Sequence, residues 1–286
     1  MTEPLLLQIK QRAPDMSKSD RAIAEYILEN YDKAAYMTAA RIGSEVKVCE
    51  ATVVRFAKKF GFDGYPQFKQ AMQEMTRNRL TSLQRIEVTG SRIGDGDILN
   101  SVMNKDIDMI RATLEQTDRA QFDAAVDVLC SAKRIYVIGT RSAMAIASFM
   151  NYYLSLIFEE VTMIDPSNES EMFEQMLHIG SDDVVLGVSF PRYSRRAVKA
   201  MHFASDCKAK CIALTDSPSS PMAQYADHLL LAKSDMASIV DSLVAPLSLV
   251  NALLVATALR KKDELSERFQ KLERIWDEYG VYEKSV

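Results

Sequence analysis

Through the first 80 positions the apolar residues recur at helical intervals. Ser19 and Asp20 precede RAIAEYILENY, in which Ile23, Ile27 and Tyr31 fall on one face of a helix. TAARIGSEV follows, with Thr38 as a candidate N-cap. A short VKV turn leads to a further helix over residues 49–60, and Gly61 stands where a left-handed C-cap favours glycine. GYPQFKQAMQEMTRNRL then opens another helix, with Pro66 in its first turn. Residues 84–98, QRIEVTGSRIGDGDI, hold three glycines and no clean period, which predicts a linker. Helical spacing resumes over residues 106–114 and 122–131.

Beyond residue 131 the pattern changes to short apolar runs: RIYVIG (134–139), EVTMID (160–165), DVVLGVS (183–189), AKCIALTD (209–216) and DHLLLA (227–232). Each of the first four is followed by a stretch long enough for a crossover helix. Nearly all-apolar strands joined through helices predict a parallel sheet covered on both faces. Residues 240–261 and 264–279 read as two closing helices. The expected architecture is an all-α N-terminal helix-turn-helix domain (1–80), a linker (81–104), and an α/β three-layer domain with an open parallel sheet (105–286).

Hydrophobic residues make up 48% of the 286 and charged residues 26%, an ordinary globular balance. No window approaches the ~18 uninterrupted apolar residues of a membrane span, so no membrane partner is expected. The opening MTEPLLLQIKQRAPD lacks the features of a signal peptide, which with the absence of a span predicts a cytoplasmic protein. Cys49, Cys130, Cys207 and Cys211 form no CxxC, and His178, His202 and His228 are scattered, so neither a disulfide framework, a metal site nor a cofactor is expected. The net charge of −4 is uneven. Residues 1–80 carry 13 Lys and Arg against 10 Asp and Glu, and the remainder 22 against 29. A basic end on an acidic body fits a protein whose N-terminal part faces nucleic acid.

Residues 38–60 have the proportions of a helix-turn-helix. With Ala40, Ile42, Val48, Val53 and Phe56 turned inward, Glu50, Ala51, Thr52, Arg55 and Lys59 lie nearer the outer face of the second helix. Small residues such as Ala51 and Thr52 permit close approach to base edges, and Arg55 can reach a guanine edge or a phosphate. Lys58, Lys59 and Lys69 can hold phosphates. The same spacing also fits a plain amphipathic helix with solvated lysines. SKSDRAIAEYILEN followed by CEATVVRFAKKFGFDGYPQFKQAM resembles the N-terminal domain of RpiR/MurR-type bacterial transcriptional regulators. That family's phrase S-E-A-T-V-x-R-F, then G-F-x-G-Y-x-x-F/L-K, is matched from Glu50 through Lys69, with Cys49 in place of the usual serine. The resemblance implies double-stranded operator DNA as a partner.

Two strand-to-helix loops carry anion-binding chemistry: IYVIGTRSAMAIA, with Arg141 and Ser142, and GVSFPRYSRRAVKAM, with Ser189, Arg192 and Ser194. Hydroxyls, guanidinium groups and helix N-termini together suit a phosphate, and they equally suit ordinary helix capping. Residues 105–260 resemble a sugar isomerase (SIS) domain, which implies a phosphorylated sugar as effector, these loops as its contacts, and a homodimer or homotetramer. Pro191 and Arg192 replace the serine and glycine in the middle of that domain's S-x-S-G-x-T loop, and Arg141 stands where glycine is frequent. The expected function is a transcriptional regulator of sugar metabolism whose operator affinity responds to a phosphosugar. The alternatives are a sugar-phosphate isomerase or lyase of the SIS class, and a DNA-binding scaffold with no small ligand.

Overall fold

The computed structural model describes residues 5–77, 81–93, 96–235 and 240–282. The chain divides into two compact units, Met1–Val102 with Met236–Asp241, and Met103–Asp235 with Ser242–Val286. The first is helical: α1 (Leu5–Arg12), α2 (Lys18–Glu29), α3 (Tyr31–Ala34), α4 (Ala39–Val46), α5 (Glu50–Lys59), α6 (Tyr65–Arg77), α7 (Ser82–Ile93) and the start of α8 (Ile98–Gln116). The apolar stripes meet in one core, where Ile23, Ile27, Ile42, Val53, Phe56 and Phe68 are fully buried. Phe56, Phe60, Phe62, Tyr65 and Phe68 stack around it with ring centroids 5.0 to 6.2 Å apart, a spacing at which aromatic pairs add to simple burial.

Two boundaries differ from the sequence pattern. The N-cap of α2 is Ser17, whose hydroxyl accepts the Asp20 N–H, so the helix begins ahead of Ser19 and buries Asp20. Residues 84–98, expected as a linker, hold most of α7 and the beginning of α8. The start of α7 is fixed by a reciprocal cap rather than by an apolar period. Gln84 N–H donates to Thr81 Oγ1 at 3.3 Å, and Thr81 N–H donates to Gln84 Oε1 at 2.9 Å.

The second unit continues α8 and adds α9 (Arg119–Ser131), β1 (Ile135–Gly139), α10 (Ala143–Ile157), β2 (Val161–Met163), α11 (Glu169–Gln175), β3 (Val184–Val188), α12 (Arg195–Asp206), β4 (Lys210–Thr215), β5 (His228–Leu231), α13 (Val244–Arg260) and α14 (Lys262–Glu278). The five expected strands form one parallel sheet in the order β2-β1-β3-β4-β5. β1 and β3 are buried along their whole length, which is why they read as unbroken apolar runs. Ile135 and Val137 pack into the layer containing α9, α10 and α13, while Tyr136 and Ile138 pack into the layer containing α11 and α12. The stretch after β4, though long enough for a crossover helix, holds none. Between β4 and β5 the chain makes only a 3-10 turn at Ala223–Tyr225. Pro218 and Pro221 precede it, and neither supplies the N–H that a continuing helix needs.

Parallel pairing places all the strand carboxyl ends along one edge. The strand order reverses between β1 and β3, and α10 and α12, which follow those strands, lie in opposite layers. That reversal opens a crevice, the usual ligand position in an open α/β sheet. Among the described residues no single helix is long and apolar enough to cross a membrane.

Candidate functional site

The turn between α4 and α5 is tight for a local reason. Lys47 ends α4 in the left-handed conformation, with φ 56°, and Val48 N–H returns to the Gly43 carbonyl at 2.8 Å. A Cβ on Gly43 would lie 2.6 Å from the Val48 carbonyl oxygen, so this approach needs glycine. Cys49 then occupies the N-cap of α5 without bonding the helix amides. Its Sγ lies 3.1 Å from Thr52 Oγ1, and Arg55 Nη2 donates to that same hydroxyl at 3.2 Å. Hydrogen bonding with the Thr52 hydroxyl, the largest cause, holds the Cys49 thiol below its ordinary pKa.

Val53, Phe56 and Ala57 bury one side of α5, while Glu50, Ala51, Arg55, Lys58 and Lys59 are exposed and Thr52 is half-buried. Two of the lysines expected to hold phosphates have other surroundings. Lys59 Nζ lies 2.5 Å from Asp20 Oδ2, and Arg12 donates to the Lys59 carbonyl at 3.2 Å, so the end of α5 is fastened to α1 and α2. Burial pushes the Asp20 carboxyl up, but the hydrogen bonds from Lys59 and Ser17 and the charges of Lys59 and Arg55 outweigh it, and its pKa lies below the usual value. Lys69 sits on α6, half-buried, in a groove shared with Thr38 and Arg41.

In the second unit the loops after β1, β2 and β3 enclose a crevice of about 510 Å³ at the switch point, lined by Thr140, Arg141, Met144, Pro166, Ser167 and residues 192–196. Of the five residues expected to contact a ligand, Arg141, Arg192 and Ser194 line it, and Ser142 and Ser189 do not. Ser189 is buried, and its Oγ accepts the Ser194 N–H at 3.2 Å, which fixes the β3 loop from beneath. Ser194 caps α12 by accepting the Ala197 N–H at 3.4 Å. Ser142 precedes α10, is exposed and makes no capping bond.

The β2 loop is a part of the crevice that the sequence reading missed. Asp165 Oδ1 accepts the Ser167 N–H at 2.8 Å, forming the turn, and the Arg196 guanidinium reaches across to the carbonyls of Pro166 and Ser167. On the far side the Tyr193 hydroxyl donates to Asp216 at 2.8 Å. The lining holds four arginines and no carboxylate. Two of them, Arg141 (φ 55°) and Arg192 (φ 64°), stand in the left-handed backbone region that favours glycine. This is a cationic crevice at the open end of a sheet, suited to an anion.

Residues 3–79 match the family model of the rpiR-family helix-turn-helix domain, and residues 128–256 match that of the SIS domain. An HTH-type transcriptional regulator of Clostridium perfringens is 27% identical over 229 residues, covering 79% of this chain and 80% of the relative. Among solved structures, the sugar isomerase domain of an RpiR transcription factor from Sphaerobacter thermophilus is similar with a TM-score of 0.58 at 29% identity, covering 61% of this chain and 97% of that one. Vibrio vulnificus NanR complexed with ManNAc-6P is similar with a TM-score of 0.59 at 21% identity, covering 96% of this chain and 98% of that one.

Proposed function

The chain belongs to the RpiR-type transcriptional regulators, an rpiR-family helix-turn-helix domain joined to a SIS domain, and on that premise we propose that α5 reads operator DNA while the crevice between β1 and β3 binds a phosphorylated sugar that shifts operator affinity. It is a regulator rather than an enzyme, and the isomerase or lyase alternative falls with that assignment. The observation that carries the effector reading is the crevice itself. It lies at the switch point, with four arginines and no carboxylate in its lining. Guanidinium groups recognise phosphate oxygens through paired N–H bonds, and the N-termini of α10 and α12 add oriented backbone donors. That NanR, which shares the fold, is complexed with a sugar phosphate supports the same choice of ligand.

On the DNA side, the exposed face of α5 offers Ala51 and Thr52 for close approach, Arg55 for a base edge and Lys58 for a phosphate. The protein acts in the cytoplasm as a homodimer or homotetramer that sets two such helices on two half-sites. The ligand acts by linkage: it binds better to one arrangement of the protein than to the other, and DNA feels the difference.

A thermal-shift screen with phosphorylated sugars, and their unphosphorylated forms as controls, tests the effector half. A true ligand at ~100 times its Kd adds about 2.7 kcal/mol of apparent stability. The expected result is stabilisation that requires the phosphate. A flat response across a broad panel would favour the ligand-free scaffold instead.

A further inference from the structure

We infer that the outward face of α10 and α13 is where a second copy of this chain docks, an inference that rests on the reading above of a protein acting as a homodimer or homotetramer. α10 carries no charged residue in its 15, and α13 none in its 17 before Arg260. The two helices pack side by side in one layer over the sheet. Their outward positions recur at helical spacing, with Ala145, Ser148 and Tyr152 on α10 and Val244, Val255 and Leu259 on α13. Tyr152 is 56% exposed, Val255 59% and Leu259 67%, so large apolar side chains stand in water with no charged neighbour on either helix face. The helices beside them differ. α9 presents Arg119, Asp123 and Asp127, and α12 presents Arg195, Arg196 and Lys199. The exposed apolar residues of α8 are interleaved with Asp108, Arg111 and Glu115.

Charge selects the occupant. Residues 81–286 hold 22 Lys and Arg against 29 Asp and Glu, a net of −7. Two such bodies repel on average, and a two-fold contact sets each patch against itself. A charge near the axis then faces its own like, whereas a neutral face does not. The same neutrality offers nothing to a strongly acidic or basic partner. At the border the charges are paired: Arg260 with Asp127, and Arg268 with Glu159 at 2.9 Å. Tyrosine and aliphatic side chains within a polar rim are the composition of a protein interface. A bilayer fits less well, because helices that lie on membranes carry Lys and Arg on their polar side, and α10 is followed by exposed Glu159 and Glu160. At 1.5 Å per residue the face is about 22 Å long, and two adjacent helices make it about 20 Å wide. A contiguous patch of a few hundred Å² with a polar rim marks an interaction site. α10 also begins at the crevice, where Met144 lines it, so the helix that meets the ligand also meets the second copy.

Sedimentation equilibrium of the full-length protein tests this, with a charge placed on each helix in turn. The parent is expected at two or four times the 32.1 kDa of one chain. Tyr152→Glu and Val255→Glu are each expected at half the parental mass or less, with an unchanged circular dichroism melt. Leu177→Glu, equally exposed but beyond α11, is the control and should keep the parental mass. Should a carboxylate unfold either helix, Tyr152→Ser and Val255→Ser give the same reading through a dissociation constant raised about tenfold or more, and an unchanged constant overturns the face. Parental mass in both glutamate variants of an oligomeric parent would overturn this face alone and leave the homo-oligomer standing. Loss of mass in the Leu177→Glu control as well would also overturn it, since any added carboxylate would then disperse the protein. A parent that sediments as one chain would overturn the second copy together with the homo-oligomer reading. Flotation of that monomer with phosphatidylglycerol vesicles would then assign the face to a bilayer.

Discussion

Cys49 holds the position before α5 without the hydrogen bond that a serine hydroxyl accepts from the helix amides. Cys49→Ser is therefore expected to raise stability by up to about 1 kcal/mol, read as a higher Tm; a lower Tm would mean that its contact with Thr52 is the stronger arrangement. On the outer face, Arg55→Ala should weaken specific DNA binding by about 1–3 kcal/mol if Arg55 meets a base edge. Lys58→Ala should weaken binding to every sequence and lower the salt slope by about 1. If both variants bind as the parent does, α5 does not enter the groove. Lys59 is a different case, because its ammonium pairs with buried Asp20 and its loss would disturb the seat of α5 as well as any phosphate contact. The folded pKa of Asp20 is lowered, so its contribution is present above the ordinary carboxylate range and is lost as pH falls through the folded value. Asp20→Asn should cost about 1–2 kcal/mol at neutral pH. The variant's stability should then fall less steeply than that of the parent below about pH 4. Parallel acid profiles would remove the pair from the account.

At the level of elements, Gly43 is the sharpest test of the turn. Gly43→Ala places a Cβ 2.6 Å from a backbone oxygen, where no flexible side chain can give way. A loss of about 1–3 kcal/mol is expected from the urea midpoint, and an unchanged midpoint would show that the turn relaxes freely. The elements that the sequence made legible share a physical cause. β1 and β3 are buried on both faces, so their apolar runs have no solvent side to interrupt them, and α5 is amphipathic around Val53, Phe56 and Ala57. What stayed hidden is equally specific. α7 begins with the reciprocal Thr81–Gln84 cap, a four-residue signal easily lost beside the glycines that follow it. The β2 loop enters the crevice through Pro166 and Ser167, neither of which carries charge or marks a ligand by type. Ser189 has the right residue type and loop for a ligand contact, yet its hydroxyl is turned to the Ser194 amide, an orientation that only the folded loop decides.

For the whole molecule, the claim is one of coupling. If the effector changes operator affinity by some factor, the operator must change effector affinity by the same factor, because both bias one equilibrium. A ligand equally matched to both states would bind, raise the Tm and leave DNA binding untouched. Thermal stabilisation alone therefore tests the crevice and not the regulator. The most direct measurement is the Kd of the full-length protein for a duplex selected from random sequence by the protein itself, titrated with a sugar phosphate already shown by thermal shift to bind. A 5- to 150-fold change in Kd, in either direction, is the typical size of such coupling, at roughly 1–3 kcal/mol, and is the result expected here. An unchanged Kd at saturating ligand would contradict the account, leaving a DNA-binding domain and a sugar-phosphate site that do not communicate.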